Sequence, residues 1–353
     1  MPTWGAIERE LLQRRQPNGA PDFDGVRRDY IAKLAKYTGR SCIVYETAGF
    51  APPPGAAPDS IQISLDPDVQ AFMEVVHGLP TDRPIDLILH SPGGTAEAAE
   101  AIVEYLRGRF PGLRVIVPIA AMSAATMMAL AADRIVMGAH SQLGPIDPQM
   151  TIVTPEGPRS APAEAIRQQF AQAQDDLAKN PQHTAAWLPI LRSYAPALLQ
   201  LCQDAETLSK SMVKDWLVRY MLSGDPNRDA KADAVAAYLT DYAAFRSHGR
   251  RVDRNRLRQL GVIVDDLETD QTLQDLVLSV HHATNHTMGG TGMVKLVENH
   301  LGRAYVRIVR NVIVQSQPAP PGVPGGPGGQ PKQPGGQPNP TPVWVEKKHK
   351  RKR

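Results

Sequence analysis

Two stretches of this chain combine the residue types and spacing that acyl-transfer chemistry needs. One is Ser91-Pro92-Gly93-Gly94, and the other is Ala120-Ala121-Met122-Ser123-Ala124-Ala125-Thr126. Paired glycines let backbone come close to a ligand and aim free amides at it. A lone serine among small residues, held at a strand tip, presents its oxygen with the next amide beside it. A nucleophile needs that arrangement, with a donor ready for the developing oxyanion. Taken singly, each stretch has an ordinary explanation: a strand-to-helix turn for the glycines, a helix N-cap for Ser123. The flanking glycines of a G-x-S-x-G elbow are absent. Taken together they are more specific. Gly93 and Ser123 stand 30 residues apart, one β–α–β unit, which in a parallel sheet sets neighbouring strand ends side by side. The expectation is an oxyanion flanked by the amides of Gly94 (with Gly93 behind it) and Ala124.

The elements that must position these residues read clearly. Ile85–His90 is a buried strand, and Thr95 caps a helix running to about Arg107, with Ala98, Ile102, Tyr105 and Leu106 near one face. Phe110-Pro111-Gly112 breaks it. Leu113–Ile119 reads as a second buried strand, Ala124–Ala132 as a small-residue helix, and Arg134–Met137 as a third strand. Strand and helix alternating through short connections predict an α/β fold with a parallel sheet. Upstream, Ser41–Tyr45 and Ile61–Ser64 read as strands joined by the loop Ala51–Pro58. Residues 162–245 read as mostly helical, and 254–314 as a last α/β stretch.

Three long motifs carry a family resemblance: Leu87 to Gly94, Val117 to Met127, and Met137-Gly138-Ala139-His140-Ser141-Gln142-Leu143-Gly144-Pro145-Ile146-Asp147-Pro148-Gln149. They resemble the serine dehydrogenase proteinase family, which is similar to signal peptide peptidases and Clp-type serine proteases on the ClpP/crotonase fold. Weaker likeness extends over roughly residues 26–312, from Thr38-Gly39-Arg40 to Lys295–Asn299. The resemblance implies a ClpP/crotonase-like repeated β-β-α core with a helical insertion, and serine peptidase activity. It also implies Ser123 as nucleophile, with the amides of Gly93, Gly94 and Ala124 as the oxyanion hole. One departure stands out: Ala125 replaces a residue that is usually glycine in relatives, and its methyl is expected to crowd the pocket.

A serine hydroxyl needs a base within hydrogen-bond reach. Where Clp-type relatives carry their histidine this chain has Ile146-Asp147. Where they carry their aspartate, ahead of a turn matched here by Gly261-Val262-Ile263, it has His248. A triad with exchanged slots, Ser123–His248–Asp147, follows; the bland alternative is a turn-capping Asp147 and a surface His248. Signal peptide peptidases instead use a buried lysine. No lysine lies between Ser123 and Lys179. Lys179 reads as exposed, while Lys210 and Lys214 stand one helical turn apart, facing inward, toward a neighbouring subunit, or simply solvent. His281, His282 and His286 lack the spacing of a zinc-protease pair followed by glutamate, so no metal or cofactor is expected. They read as structural or subunit-contact histidines. His90 and His140 either line the cleft or pack.

Composition bounds the rest. The 353 residues suffice for two domains or one large one with appendages. Two cysteines exclude a disulfide scaffold and a four-cysteine zinc module. No apolar run is long enough for a membrane helix. The N-terminal MPTWGAIERELLQRR lacks an apolar h-region, so a cytoplasmic setting is expected. The net charge of +3 is split: residues 343–353 carry +5 and the first 315 sum to −3. Between Ser316 and Pro342, 10 of 27 residues are Pro and 7 are Gly, the composition of a disordered linker. The expected organisation is an N-terminal segment 1–25, a peptidase domain 26–315, a linker 316–342 and a basic tail 343–353. The tail is either a solvated end or a docking segment for an acidic partner, nucleic acid or anionic lipid. The expected substrate is a polypeptide and the expected assembly a homo-oligomer, with the helical section as interface. No GxxxxGK loop is present, so any ATP dependence belongs to a separate partner. Two competing functions are an acyl-CoA enzyme on the same scaffold and a non-catalytic assembly subunit recruiting partners through the tail.

Overall fold

The structure is a computed structural model that describes residues 3–154 and 157–309, and the backbone of 342–345. Its elements begin with α1 (Trp4–Gln13), α2 (Phe23–Thr38), β1 (Ser41–Thr47), α3 (Pro58–Ile61) and α4 (Leu65–Val76). The site-bearing run follows: β2 (Ile85–His90), α5 (Ala96–Arg109), β3 (Leu113–Val117), β4 (Ala120–Ala121), α6 (Ala124–Leu130), β5 (Arg134–Met137) and β6 (Gln142–Leu143). A hairpin, β7 (Gln149–Thr154) and β8 (Gly157–Pro162), leads into α7 (Ala163–Lys179), α8 (Thr184–Arg192), α9 (Leu198–Arg219), α10 (Arg228–Thr240) and α11 (Tyr242–Phe245). The chain continues through α12 (Arg254–Gln259), β9 (Val264–Asp266), α13 (Gln271–Thr291), β10 (Met293–Asn299), β11 (Ala304–Ile308) and β12 (Pro342–Val345).

Eight strands form one mixed sheet in the order β12-β11-β10-β1-β2-β3-β5-β9. The five strands from β1 to β9 run parallel, and β10, β11 and β12 add antiparallel at the β1 side. The α/β class expected from the alternating pattern is therefore observed, with an antiparallel wing. Both faces are covered, because successive side chains of a strand point to opposite sides. Leu87 and Leu89 pack with Ile43, Tyr45, Val115 and Val117 beneath Phe72 of α4, Ile102 of α5 and Leu130 of α6. Ile88 packs with Cys42, Val44, Ile116 and Leu296 beneath Ile31 of α2 and Val277 and Val280 of α13.

Local signals account for the boundaries. The Thr95 hydroxyl accepts from the Ala98 amide and starts α5, and Gly39 in the left-handed region ends α2. β3 stops at Val117, because Pro118 has no amide for the ladder. Ile61–Ser64 is not a strand. Pro58 sits in the first turn of the short α3, and only Ile63 bridges, to Gly94. The β7–β8 hairpin was not foreshadowed by the sequence pattern. Helix α1 is packed rather than peripheral: Ile7 and Leu11 are buried against Val26 and Ala283. The linker, apart from Pro342, and the basic end of the tail lie outside the described residues. Residues 342–345, which join the end of the linker to the start of the tail, pair with β11 as an edge strand. Among the described residues no helix is long and apolar enough to cross a membrane.

Candidate active site

Ser123 occupies the junction between β4 and α6, in a backbone conformation with φ 52° and ψ −122°. A non-glycine residue there is strained, and such strain persists only where surrounding structure enforces it. The enforcement is visible. Ser91 and Ala121 bridge: the Ser91 amide donates to Ala120 O (3.1 Å) and the Met122 amide to Ser91 O (3.0 Å). Thr126 donates to Ala121 O (2.7 Å) and accepts from the Gly144 amide (3.0 Å), tying α6 to the strand before it and the loop after β6. The Ser123 side chain does not cap α6, and among the described residues its hydroxyl has no hydrogen-bond partner.

The two glycines differ in what they do. Gly93 has φ +103°, and a Cβ there would fall 2.7 Å from Ser123 Cβ and 3.0 Å from the Ala124 nitrogen. Its bare α-carbon is thus pressed against the serine. Its amide is turned away, donating to Ser91 Oγ (3.1 Å), so Gly93 is no free donor. A Cβ on Gly94 would meet the Ile63 backbone at 2.1–2.7 Å. Ile63 donates to Gly93 O (2.8 Å), and its carbonyl accepts from the Thr95 amide (3.0 Å). In a parallel bridge the central residue's own amide faces away from its partner strand, so the Gly94 amide is not spent on Ile63. Among the described residues neither the Gly94 nor the Ala124 amide donates to a protein acceptor. Gly94, Ser123 and Ala124 line one cavity of about 670 Å³. Ala125 is fully buried in the core and does not line it, so its methyl leaves the cavity clear.

The Ile63 segment is itself clamped. Lys295 is fully buried and donates to Gln62 O and to both oxygens of Asp68 (2.7–2.8 Å), while Asp68 also accepts from the Ser64 amide and Tyr45 Oη.

Asp147 and His248, 101 residues apart, are in contact: Asp147 Oδ1 lies 2.7 Å from His248 Nδ1. The topology explains it. Leu143 pairs in parallel with Ala121 and forms an antiparallel bridge with Val252. Continuing that antiparallel register by four residues sets Asp147 opposite His248. Asp147 is buried, its second oxygen accepts from Gln149 Nε2 (2.8 Å), and it does not cap the turn. His248 does not line the cavity and makes no hydrogen bond with Ser123 in this structure. The lysines are elsewhere. Lys214 pairs with Asp233 (2.8 Å), whose hydrogen bond raises its pKa, the wrong direction for a base. Lys210 is exposed and lines a different cavity, with Glu164 and Glu206; Lys179 is exposed at the end of α7.

The remaining histidines form a buried cluster behind the site. His90, on the α13 face of β2, lies 3.1 Å from Ala120 O through Nδ1 and meets the His281 ring edge-on at 4.9 Å. His281 contacts the buried Glu46 (3.1 Å). Burial raises Glu46 to about 8 and, with the neighbouring histidines, lowers His90 and His281 to about 4. His282 and His286 pack on Trp4. Neither His90 nor His140 lines the cavity. Among the described residues no three His, Cys, Asp or Glu side chains are grouped to hold a metal ion.

One wall escaped the sequence reading. Leu201, Asp204, Ala205, Leu208 and Ser209 of α9 lie over the cavity, facing Ser123, Met127 and Ile146. Their spacing is that of one helical face, a signal present in the sequence but with nothing to say what it faced.

Ser123, with its strained backbone, shares one cleft with Gly94 and Ala124, whose amides are undonated, while the Asp147–His248 pair lies outside the residues that line it. Residues 62–177 match the family described as ClpP-like SDH-type serine proteinase. The matched segment spans Ser123, both glycines, Ala124 and Asp147; α9 and His248 lie beyond it. An uncharacterized protein of Methanocaldococcus jannaschii is 40% identical over 109 residues, which cover 31% of this chain and 37% of the relative. A second from the same organism is 42% identical over 83 residues, covering 24% and 28%. The chain thus spans about a third of the length of these curated relatives. Among solved structures, a ClpP1 mutant from Listeria monocytogenes aligns with TM-score 0.33 and 12% identity, over 69% of this chain and 99% of that one. A mutant of the 1510-N membrane-bound stomatin-specific protease aligns with TM-score 0.30 and 16% identity, over 52% and 64%.

Proposed function

We propose that this protein is a serine peptidase acting on polypeptides, with Ser123 as nucleophile, His248 as general base and Asp147 orienting that base. The observation that carries the reading is the packing of Gly93 directly on Ser123 Cβ and the Ala124 nitrogen, which leaves the Gly94 and Ala124 amides undonated in the serine's own cavity. In this mechanism Ser123 Oγ adds to the scissile carbonyl carbon while its proton passes to His248 Nε2. The carbonyl oxygen becomes an oxyanion between the two amides. The C–N bond breaks as the leaving amine takes the proton, and water then hydrolyses the acyl-enzyme by the same steps. Asp147 holds Nδ1 protonated, which leaves Nε2 as the basic nitrogen. Substrate binding must draw His248 to Ser123, a contact that commonly tightens only in the loaded site.

The acyl-CoA alternative is disfavoured by charge. Among the described residues, the only charged side chains lining the cavity are Glu97 and Asp204, the wrong sign for CoA phosphates. The test is labelling of the full chain by an alkyl fluorophosphonate. Wild type is expected to label and Ser123→Ala not to; equal labelling of both would overturn the proposal.

A further inference from the structure

The wall supplied by α9 carries information that the matched residues 62–177 do not. Its stripe runs from Leu201, 53% exposed, to Ser209, 5% exposed, so the cavity is open at one end and closed at the other. The inner lining is apolar: Ala124, Met127 and Ile146 are each at most 2% exposed. Among these buried lining residues Ser209 alone brings a polar side chain. Among the described residues its hydroxyl has no hydrogen-bond partner, although neighbouring serines and threonines of α9, Thr207 and Ser211, return theirs to the helix backbone. The residue is buried but its oxygen still reaches the solvent of the cavity, and an occupant that displaces this solvent must supply the hydroxyl with a partner.

Resting on the serine-peptidase reading, we infer that α9 is the specificity wall of this site and that Ser209 selects a tyrosyl side chain. The aromatic ring fills the apolar space between α9 and Met127 and Ile146, and the phenol pairs with Ser209 Oγ at the closed end. A phenylalanyl side chain gains the same burial but leaves Ser209 unpaired. An aspartyl side chain is desolvated among apolar groups and meets Asp204 and Glu97 at the rim.

The experiment compares inactivation of the full-length protein by three peptidyl diphenyl phosphonates that are identical except for a Tyr, Phe or Asp side chain at the reacting position. Tyr is expected to react about 3- to 10-fold faster than Phe, the range of one neutral hydrogen bond, and Asp slowest. In Ser209→Ala the Tyr-to-Phe ratio is expected to fall to about one. Equal wild-type rates for Tyr and Phe, or an unchanged ratio in the variant, would overturn the inference. So would failure of both aromatic phosphonates on a protein that the alkyl fluorophosphonate still labels. Failure of the alkyl fluorophosphonate itself removes the serine-peptidase reading, and this inference with it, so the two failures are distinguishable.

Discussion

Asp147→Asn tests the least expected part of the proposed mechanism, a triad in which the aspartate and histidine come from exchanged positions in the chain. The substitution keeps size and shape but removes the charge. Asp147 Oδ1 and His248 Nδ1 are 2.7 Å apart, so the charge centres of carboxylate and imidazolium lie about 4 Å apart. At an effective dielectric of about 20 their attraction is about 4 kcal/mol. The pair is partly sheltered, with Asp147 at 4% and His248 at 27% side-chain exposure, so most of this is retained when His248 takes the serine's proton. Losing it slows acylation by about a thousandfold. Geometry adds to the loss. An asparagine can present its amide nitrogen to His248, forcing Nδ1 to accept and moving the ring proton to Nε2, where it cannot serve as base. The assay is the second-order rate constant for fluorophosphonate labelling at neutral pH, with circular dichroism and thermal melting to confirm the fold. A rate within threefold of wild type, in a preparation where Ser123→Ala abolishes labelling, would refute the assignment of Asp147 and reopen the search for the base.

Three further outcomes are expected. Gly94→Ala places a methyl 2.1–2.7 Å from Ile63 backbone atoms, which have no side-chain freedom to yield, so the amide shifts and labelling falls about 10²–10³-fold; an unimpaired rate would show that this amide is not a donor. Lys295→Met strands the buried Asp68 charge and is expected to cost about 3–5 kcal/mol in urea unfolding, most of it recovered in Asp68→Asn/Lys295→Met, where no lone charge remains. If the double variant is no better than the single, the clamp acts through something other than charge pairing. The pH dependence follows from the buried cluster. Glu46 keeps its proton to about 8 in the fold against 4.5 ordinarily, so between pH 8 and 6.5 the native state binds one extra proton and stability rises as pH falls, by about 1.4 kcal/mol per unit. Below 6.5 the unfolded chain protonates His90, His281 and His282, which stay neutral in the fold to about 4; three protons then outweigh one and stability falls again. Urea midpoints across pH 5–8 should show that the alkaline limb disappears in Glu46→Gln, and identical profiles would contradict it.

Much of the site's frame was legible from local chemistry. The glycine pair, the lone serine among alanines and the buried strands leading to both are short-range patterns, and one β–α–β unit is enough to bring them together, because parallel neighbours end side by side. The same locality explains the misreadings. Ile63 looked like part of a strand because apolar alternation does not reveal that Pro58 starts a helical turn. Gly93 and Gly94 looked alike as amide donors, although one amide is spent on Ser91 Oγ and only the other is left over. Lys210 and Lys214 read as candidates for a lysine base, but which face α9 turns to Ser123 depends on what it packs against. That face carries Leu201, Asp204, Ala205, Leu208 and Ser209 instead.

By itself, then, the amino-acid order determined the α/β class, the strand-end position of Ser123 and the glycine turn that meets it, since these depend on periods of two and 3.6 residues and on backbone freedom within a few positions. Only the tertiary structure decided that Asp147 stands opposite His248, that the Ile63 backbone denies Gly94 a side chain, and that α9 closes the cavity. Each is a contact between segments distant in the chain, fixed by strand register and helix packing over the whole core, and no local pattern encodes it.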